Sequence, residues 1–231
     1  MPELQRSIMQ RLYGRNIWEG FQPARPPQPG IQGWNGDHPA LAQLAAIAAQ
    51  NVVVDVGVWK GQSTITMAAA MKKAQLDSCV IAVDTFLGSI EHWNGGLFTR
   101  IHAIPDLYQT FIENVYYTGV MDYIVPLPQT STTAALILQR LGISAAVVHI
   151  DASHEYADVM RDAEEFWKVL GEGGFLIGDD YHEAWPGVIR AAGEFSARLG
   201  RPLIIQPPKW ILRKLTANAS SQAGSSQAGA Q

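Results

Sequence analysis

The sequence contains one cysteine, Cys79, so no disulfide can form within the chain. Because Cys79 stands in an apolar run, we expect a buried thiol rather than a nucleophile. Lysine and arginine are scattered and the net charge is −4, so the chain lacks the basic patch that binds nucleic acids or anionic membranes. The start of the sequence lacks the basic, apolar and small-residue sections of a signal peptide. We therefore expect a cytoplasmic protein with neither nucleic-acid nor membrane partners.

Long hydrophobic runs are also missing. The longest, 40–58, is interrupted by polar residues and predicts a helix followed by a strand. From residue 51 onward, β-branched runs alternate with segments of helical period, which indicates βαβ units on a parallel sheet around one core. The predicted strands are 51–56, 79–84, 123–127, 145–151 and 174–178, with a closing hairpin of 202–206 and 210–213.

The composition divides the chain into three parts. Residues 1–50 are expected to form an N-terminal arm, with a short amphipathic helix and a Pro- and Gly-rich lid or linker at 22–38. Residues 51–215 form the α/β domain. Residues 216–231 are mainly Ala, Ser, Gln and Gly, which predicts a disordered tail. The arm could cross to a second subunit, which leaves a homo-oligomer open.

Two glycines, Gly57 and Gly61, occupy the turn between the first strand and the next helix. Glycine lets the backbone bend sharply and approach a ligand, and the helix N-terminus near Ser63 offers free N–H groups. The spacing departs from the G-x-G-x-x-G pattern, and the acidic Asp55 favours a cationic ligand over a phosphate. Asp84 ends the second strand, where a carboxylate can accept both hydroxyls of a ribose. An ordinary tight turn is the alternative interpretation.

Three carboxylates, Asp151, Asp179 and Asp180, end the fourth and fifth predicted strands. If these strands are neighbours, the carboxylates converge at the edge where open α/β sheets bind ligands. No basic residue in either motif neutralises them, so we expect a bridging cation, and such oxygen donors suit magnesium or another hard divalent ion. Helix capping is the alternative. His149 is predicted to pack in the core, and the role of His182 stays open between ligand, base and cap.

The turn sequence Asp-Val-Gly-Val-Trp-Lys-Gly-Gln-Ser at 55–63 resembles that of the catechol O-methyltransferase branch of class I methyltransferases, which use S-adenosylmethionine. The run 147–181 is similar, more closely still, to bacterial metal-dependent macrolide-sugar and natural-product O-methyltransferases. The resemblance spans 51 to about 213. It implies an α/β, Rossmann-like class I methyltransferase fold, whose seven-stranded, mostly parallel sheet has the order 3-2-1-4-5-7-6 and an edge hairpin.

The resemblance also assigns roles to residues. The amino-acid end of S-adenosylmethionine would be held by Asp55 and the backbone of Gly57 and Gly61, and its ribose by Asp84. The adenine would be flanked by Gln129, Thr130 and Ser131, a segment that a helix N-cap explains equally well. Magnesium would be bound by Asp151, Asp179 and Asp180. His154 stands where a histidine acts as the base in the bacterial group.

The sequence therefore predicts an enzyme, a magnesium-dependent O-methyltransferase that acts on a hydroxyl of a small molecule such as a vicinal diol, a catechol or a natural-product sugar. The metal would acidify the hydroxyl, and His154, with an ordinary pKa of about 6.5, would remove the proton. A metal-independent N- or O-methyltransferase and a noncatalytic binding protein on the same fold are the alternatives. The loop 86–96 and the Pro-rich segment are candidates for selecting the acceptor, although Trp93 could instead cover the core.

Overall fold

The computed structural model of the chain describes residues 1–216, and nine strands lie within them. Seven form one sheet and two form a separate short hairpin. The strands are β1 (Val52–Val56), β2 (Cys79–Asp84), β3 (Arg100–Ile101), β4 (Ile104–Pro105), β5 (Ile124–Pro128), β6 (Ala145–Ile150), β7 (Leu170–Gly178), β8 (Ile204–Gln206) and β9 (Lys209–Arg213).

The large sheet has the order β5-β2-β1-β6-β7-β9-β8. The first five of these strands are parallel, and β9 pairs antiparallel with both β7 and β8. Counted within this sheet, the order is 3-2-1-4-5-7-6, so the predicted fold is confirmed. The central strands β1 and β2 are almost wholly buried, because helices cover both faces of a parallel sheet. The thiol of Cys79 is buried in β2 as expected.

Eight α-helices accompany the strands within the described residues. They are α1 (Glu3–Tyr13), α2 (Pro39–Ala46), α3 (Gln62–Lys73), α4 (Ile90–Gly95), α5 (Leu107–Tyr117), α6 (Ser131–Arg140), α7 (Tyr156–Val169) and α8 (Pro186–Leu199). Helices α6, α7 and α8 pack side by side, and α2 packs on α3. The strand order reverses at β1, so right-handed crossovers place the helices on opposite faces and leave a crevice at the carboxyl ends of the strands. None of these helices is both long and apolar enough to cross a membrane.

The N-terminal arm packs on the α/β domain. Ile8 and Met9 of α1 are buried in the core, and Trp18 Nε1 donates to the carbonyl of Ile124 at 2.9 Å. Arg25, in the Pro-rich segment, forms ion pairs of 2.6 and 2.7 Å with Asp106 and Glu113. The division at residue 50 stays a prediction. Beyond Thr216 the predicted tail lies outside the described residues.

Two parts of the fold differ from the sequence-based expectations. The fifth strand starts at Leu170 instead of residue 174, because α7 passes into β7 without a loop and Leu170 already pairs with Ala145. Gly174 permits this close pairing, since a Cβ there would lie 2.8 Å from the carbonyl oxygen of Ala146. The short helix α4, the β3–β4 hairpin and α5 fill the connection between β2 and β5. The sequence pattern predicts none of these three elements.

A substitution at Gly178, the last residue of β7, tests the packing between β7 and β9. A Cβ at this position would lie 2.1 Å from Trp210 Cε2, and Trp210 is buried. Gly178→Ala should therefore lower the free energy of unfolding by about 2–3 kcal/mol, as overpacking does, in a urea titration. Gly193→Ala in α8 is the control, because nothing lies within 4 Å of its Cβ, and we expect a gain of about 0.5–1 kcal/mol. Equal stabilities for the two variants would contradict the described contact.

Candidate functional site

Two adjoining cavities open at the carboxyl ends of β1, β2, β6 and β7. The first, of about 320 Å³, is lined by Asp84 at the end of β2 and by Gln129, Thr130 and Ser131 after β5, and we call it the β2–β5 cavity. The second, of about 300 Å³, is roofed by the Pro-rich segment and the α4 loop, and we call it the lid cavity. Gly57 and Asp151 line both cavities. A ligand that fills one cavity can therefore reach a second ligand in the other.

Gly57 lies where the two cavities meet and packs against the backbone of Asp151. Its φ of 87° belongs to the left-handed region, and an added Cβ would lie 1.7 Å from the carbonyl oxygen of Asp151. Only glycine lets the two chain segments approach this closely. Gly61, with φ of 101°, starts α3, and a Cβ there would lie 2.8 Å from the ring of Phe111. The backbone therefore requires glycine at both positions, and Gly57 also lines both cavities.

Asp55 is buried under the turn and lines neither cavity. Its Oδ2 accepts hydrogen bonds from Ser63 Oγ at 2.8 Å and Thr64 Oγ1 at 2.5 Å, and its Oδ1 lies 2.7 Å from His149 Nδ1. Asp55 therefore fixes the first turn of α3 and orients His149. Ser63, in contrast, lines the lid cavity. The predicted contact between Asp55 and a bound donor stays a prediction.

Asp84 lies at the tip of β2, where the sequence predicted a ribose contact. Its Oδ2 accepts from the backbone N–H of Trp59 at 2.8 Å and its Oδ1 from that of Phe86 at 2.7 Å. Burial raises the pKa of Asp84, although these backbone hydrogen bonds oppose the shift. The two bonds hold the carboxylate at the edge of the β2–β5 cavity. Nearby, Thr130 caps α6 by accepting from Thr133 N, so this segment both caps the helix and lines the cavity.

The three predicted metal ligands do meet at the sheet edge. The backbone ladder continues past the strand ends, with Asp151 N donating to Val56 O at 2.8 Å and Asp179 N to Ile150 O at 3.0 Å. Asp180 has a left-handed φ of 60°, which is uncommon outside glycine. Neither Asp151 nor Asp180 caps the helix that follows it, since Glu155 and Trp185 hold the N-cap positions of α7 and α8.

Lys209 corrects the expectation that this cluster has no cation of its own. Its side chain is fully buried, and Nζ donates to Asp179 Oδ2 at 2.5 Å. Nζ also lies 3.1 Å from His149 Nε2. Lys209 opens β9, and the β7–β9 register pairs Gly178 with Trp210, which places the preceding lysine beside Asp179. The sequence motifs of β6 and β7 do not contain this lysine, which is why it was missed.

His149 connects the lysine to the glycine turn. An ammonium has only donors, so His149 Nε2 accepts from Lys209 and the imidazole proton lies on Nδ1, which donates to Asp55 Oδ1. The prediction that His149 is buried is confirmed, since its exposed fraction is 0%. Its polar links to both neighbours were not foreseen. The result is a buried chain of hydrogen bonds from Asp55 through His149 and Lys209 to Asp179.

These contacts decide how well the cluster fits a divalent ion. One ligand atom each of His149, Asp151 and Asp179 lies within 4.8 Å of the others, which is the spacing of a metal site. Lys209 already contacts two of the three, and Asp179 Oδ1 accepts from Asp180 N at 2.7 Å. As arranged, the donor set fits a divalent ion poorly. Burial, and next the charge of Asp179, raise the pKa of Asp151 well above its ordinary value.

His154 faces the lid cavity as a dyad with Asp180. Its Nε2 lies 2.9 Å from Asp180 Oδ2, and its ring stacks on Trp185 with centroids 3.8 Å apart. The hydrogen bond to Asp180 is the largest cause of a raised His154 pKa. With Nε2–H directed at Asp180, Nδ1 of the neutral ring is the basic atom. His182 is exposed and accepts from Ala184 N at 3.1 Å, and it lines neither cavity.

Aromatic side chains cover the lid cavity. Trp59 stacks on His92 of α4 at 3.7 Å, and Trp34 from the Pro-rich segment stacks on the same ring at 5.6 Å. Both loops named from the sequence therefore line this cavity. Trp59 Nε1 and Gln62 Oε1 are buried without a hydrogen-bond partner among the described residues. Such atoms are costly to leave unpaired, and both residues line the lid cavity.

Comparison with known proteins identifies the class. A family model described as a methyltransferase domain matches residues 54–181, more than half of the chain, so the chain belongs to the family of methyltransferase domains. The predicted class is confirmed. A search of curated proteins finds no significant match.

Solved structures show the same fold. The O-methyltransferase NovP is 20% identical, with 77% of this chain and 78% of that chain covered at a TM-score of 0.58. CalS11, a TDP-rhamnose 3′-O-methyltransferase of calicheamicin biosynthesis, is 18% identical over 75% and 76% at 0.53. TomG from Streptomyces achromogenes, in complex with S-adenosylmethionine, is 15% identical over 94% and 91% at 0.56. At these identities the likeness supports the fold.

Asp162 of α7 is buried and lines the β2–β5 cavity. Its burial can be tested through the pH dependence of the protein's stability. Burial raises the pKa of Asp162 to about 6. A folded-state pKa above the unfolded value means that stability is greatest below the unfolded value, about 4, and is lost as pH rises through 6. Asp162→Asn should therefore match the wild type below about pH 4 and exceed it by about 1–3 kcal/mol above pH 6, in urea titrations across pH.

The control is Asp122→Asn at an exposed aspartate, with an expected change within about 0.5 kcal/mol at every pH. An Asp162→Asn variant that loses stability as pH rises in parallel with the wild type would contradict the assigned burial.

Proposed function

We propose that the chain transfers a methyl group from S-adenosylmethionine to a hydroxyl group of a small molecule. The observation that carries the proposal is the pair of cavities that join at Gly57 and Asp151, at the carboxyl ends of the parallel strands. Open α/β sheets bind their ligands at this edge. Two cavities that share one wall suit a reaction between two bound molecules, and the family supplies the reaction class.

The β2–β5 cavity suits the nucleoside part of the donor. Asp84 can accept both ribose hydroxyls, since each carboxylate oxygen retains a free lone pair beside its backbone hydrogen bond. The segment 129–131 would flank the adenine, and the turn at Gly57, Gly61 and Ser63 would hold the amino-acid end. The donor supplies a methyl group activated by a positively charged sulfur, and the Asp151 carboxyl lies at the junction that this sulfur would approach.

The lid cavity suits the acceptor. Its lining includes Trp34, Trp59 and Trp185, together with the His154–Asp180 pair. The unpaired Trp59 Nε1 and Gln62 Oε1 add polar atoms that an acceptor could bond. Asp180 holds the His154 ring through Nε2, so Nδ1 can take the hydroxyl proton, in the arrangement of a base oriented by a carboxylate. NovP, CalS11 and TomG are O-methyltransferases, which favours O-methylation. CalS11 acts in calicheamicin biosynthesis and TomG in tomaymycin synthesis, which favours a natural-product acceptor.

Magnesium is left out of this mechanism. The sequence predicted it, and the spacing of His149, Asp151 and Asp179 still favours a metal-dependent enzyme as the second candidate. The buried ammonium of Lys209 opposes it. In the proposed reaction the chain's own residues therefore carry the proton transfer and balance the charge.

Donor binding tests the first half of the proposal. Asp84→Asn replaces one accepting oxygen by a donor, so the affinity for S-adenosylhomocysteine should fall about 10- to 100-fold, the range for a lost hydrogen bond to a charged group. Isothermal titration calorimetry measures this affinity, with Asp122→Asn as the control. Wild-type protein that binds no S-adenosylhomocysteine at millimolar concentration would contradict the proposal.

The role of His154 is tested by turnover against a panel of catechol, sugar and phenolic acceptors. His154→Gln should lower kcat by about 10²- to 10⁴-fold, as expected for loss of a general base, with donor affinity unchanged. His182→Gln is the matched control, because His182 is an exposed histidine outside both cavities, and should turn over normally. Transfer only to amines would favour an N-methyltransferase. Donor binding without transfer to any acceptor would favour a noncatalytic protein.

A further inference from the structure

The position of Lys209 carries an inference beyond the proposed reaction. We propose that the Lys209 ammonium is the resident cation of the carboxylate cluster and that the protein works without a divalent metal ion. The first half of this statement concerns the cluster alone. The second half rests on the proposed methyl transfer, and the experiments below separate the two.

The ammonium contacts two of the three residues whose ligand atoms have the spacing of a metal site. Nζ contacts Asp179 Oδ2 at 2.5 Å and His149 Nε2 at 3.1 Å, and Asp151 is close enough for the lysine charge to act on its carboxyl. These three residues are the ones whose ligand atoms lie within 4.8 Å of each other. A divalent ion and an ammonium in this space would be two cations at contact distance in a region of low dielectric, which is strongly unfavourable.

Three of the four candidate ligands already have hydrogen-bond partners. Asp179 accepts from Lys209 and from Asp180 N. His149 Nδ1 is engaged with Asp55, so Nε2 is its one remaining ligand atom, and Lys209 contacts it. Asp180 Oδ2 is paired with His154. Of the four candidate ligands, Asp151 alone offers a carboxylate without a partner in these contacts.

Displacement of the lysine would be costly. The Lys209 side chain is 0% exposed, so an ammonium pushed away from Asp179 has no water to enter. A buried charge separated from its partner is destabilised by several kcal/mol. The β9 strand that carries the lysine pairs with β7 on one side and β8 on the other, which leaves the backbone little room to withdraw it.

This assignment changes the acceptor class. A chelated metal selects acceptors with two adjacent oxygens, because both bind the ion. A lysine buried behind Asp179 does not coordinate the acceptor, so one hydroxyl suffices. Activation then depends on the His154–Asp180 dyad, and selection of the acceptor depends on the residues that line the lid cavity, among them Trp34, Trp59 and Trp185. We therefore infer that acceptors with a single hydroxyl are used as well as vicinal diols.

Mn²⁺ binding tests the cluster directly. Free Mn²⁺ gives an electron paramagnetic resonance signal that is lost when the ion binds, so this signal is followed as the full chain is added. The wild type should show no stoichiometric binding. Lys209→Met removes the charge at similar volume, and the carboxylates that lose their cation should then bind one Mn²⁺ per chain at least about tenfold more tightly than the wild type does. Adding Asp179→Asn to that variant should abolish the gain. Lys214→Met is the control, because Lys214 Nζ bonds to the carbonyls of Trp167 and Leu170.

Stoichiometric Mn²⁺ binding by the wild type at micromolar concentration would overturn the assignment, and so would a folded Lys209→Met variant that gains no affinity. Folding is checked by a cooperative urea transition. If that variant does not fold, the wild-type titration alone decides. For the second half, turnover should survive exhaustive chelation, and a single-hydroxyl phenol should be methylated at a rate comparable to a catechol. Activity lost on chelation and restored by Mg²⁺ would overturn it, whereas absence of turnover with no Mn²⁺ bound would count against the proposed function alone.

Discussion

The ion pair between Lys209 and Asp179 is the interaction on which the site depends. Parallel strands that end side by side bring their terminal residues to one edge, and here that edge carries Asp55, Asp151, Asp179 and Asp180. Four carboxylates in so small a space repel one another unless a cation lies among them. The lysine of the antiparallel edge strand supplies that charge from within the chain. Lys209 also donates to His149, which in turn donates to Asp55. The lysine is thereby linked to the glycine turn.

The acidic residues of the site have different roles in this arrangement. Asp55 and Asp179 face inward and hold the buried chain together, while Asp180 orients His154. Asp151 stands at the junction of the two cavities, with Gly57 pressed against its backbone. The Pro-rich segment closes over the same region and is fastened to α5 by Arg25. The conformation of the lid cavity therefore depends on contacts made far from the reacting groups.

Much of the fold and of the carboxylate cluster could be predicted from the sequence, because both follow from local sequence patterns. Buried strands appear as continuous apolar runs, and parallel order brings their carboxyl ends together, so the approach of Asp151, Asp179 and Asp180 could be predicted. Lys209 could not, because its contact with Asp179 depends on the register of an edge hairpin 30 residues away. The stack of Trp185 on His154 and the ion pairs of Arg25 are also long-range contacts without a local signature. The α4 helix and the β3–β4 hairpin escaped prediction because each is too short to show a period.

The central claim, that an ammonium replaces a metal at this sheet edge, is tested most directly by a crystal structure. Crystals grown with S-adenosylhomocysteine and Mn²⁺ would be measured at a wavelength where manganese scatters anomalously. The account predicts no anomalous peak among His149, Asp151 and Asp179, with Lys209 Nζ in hydrogen-bond contact with Asp179. A manganese peak bound by Asp151 and Asp179, with the lysine displaced, would contradict it.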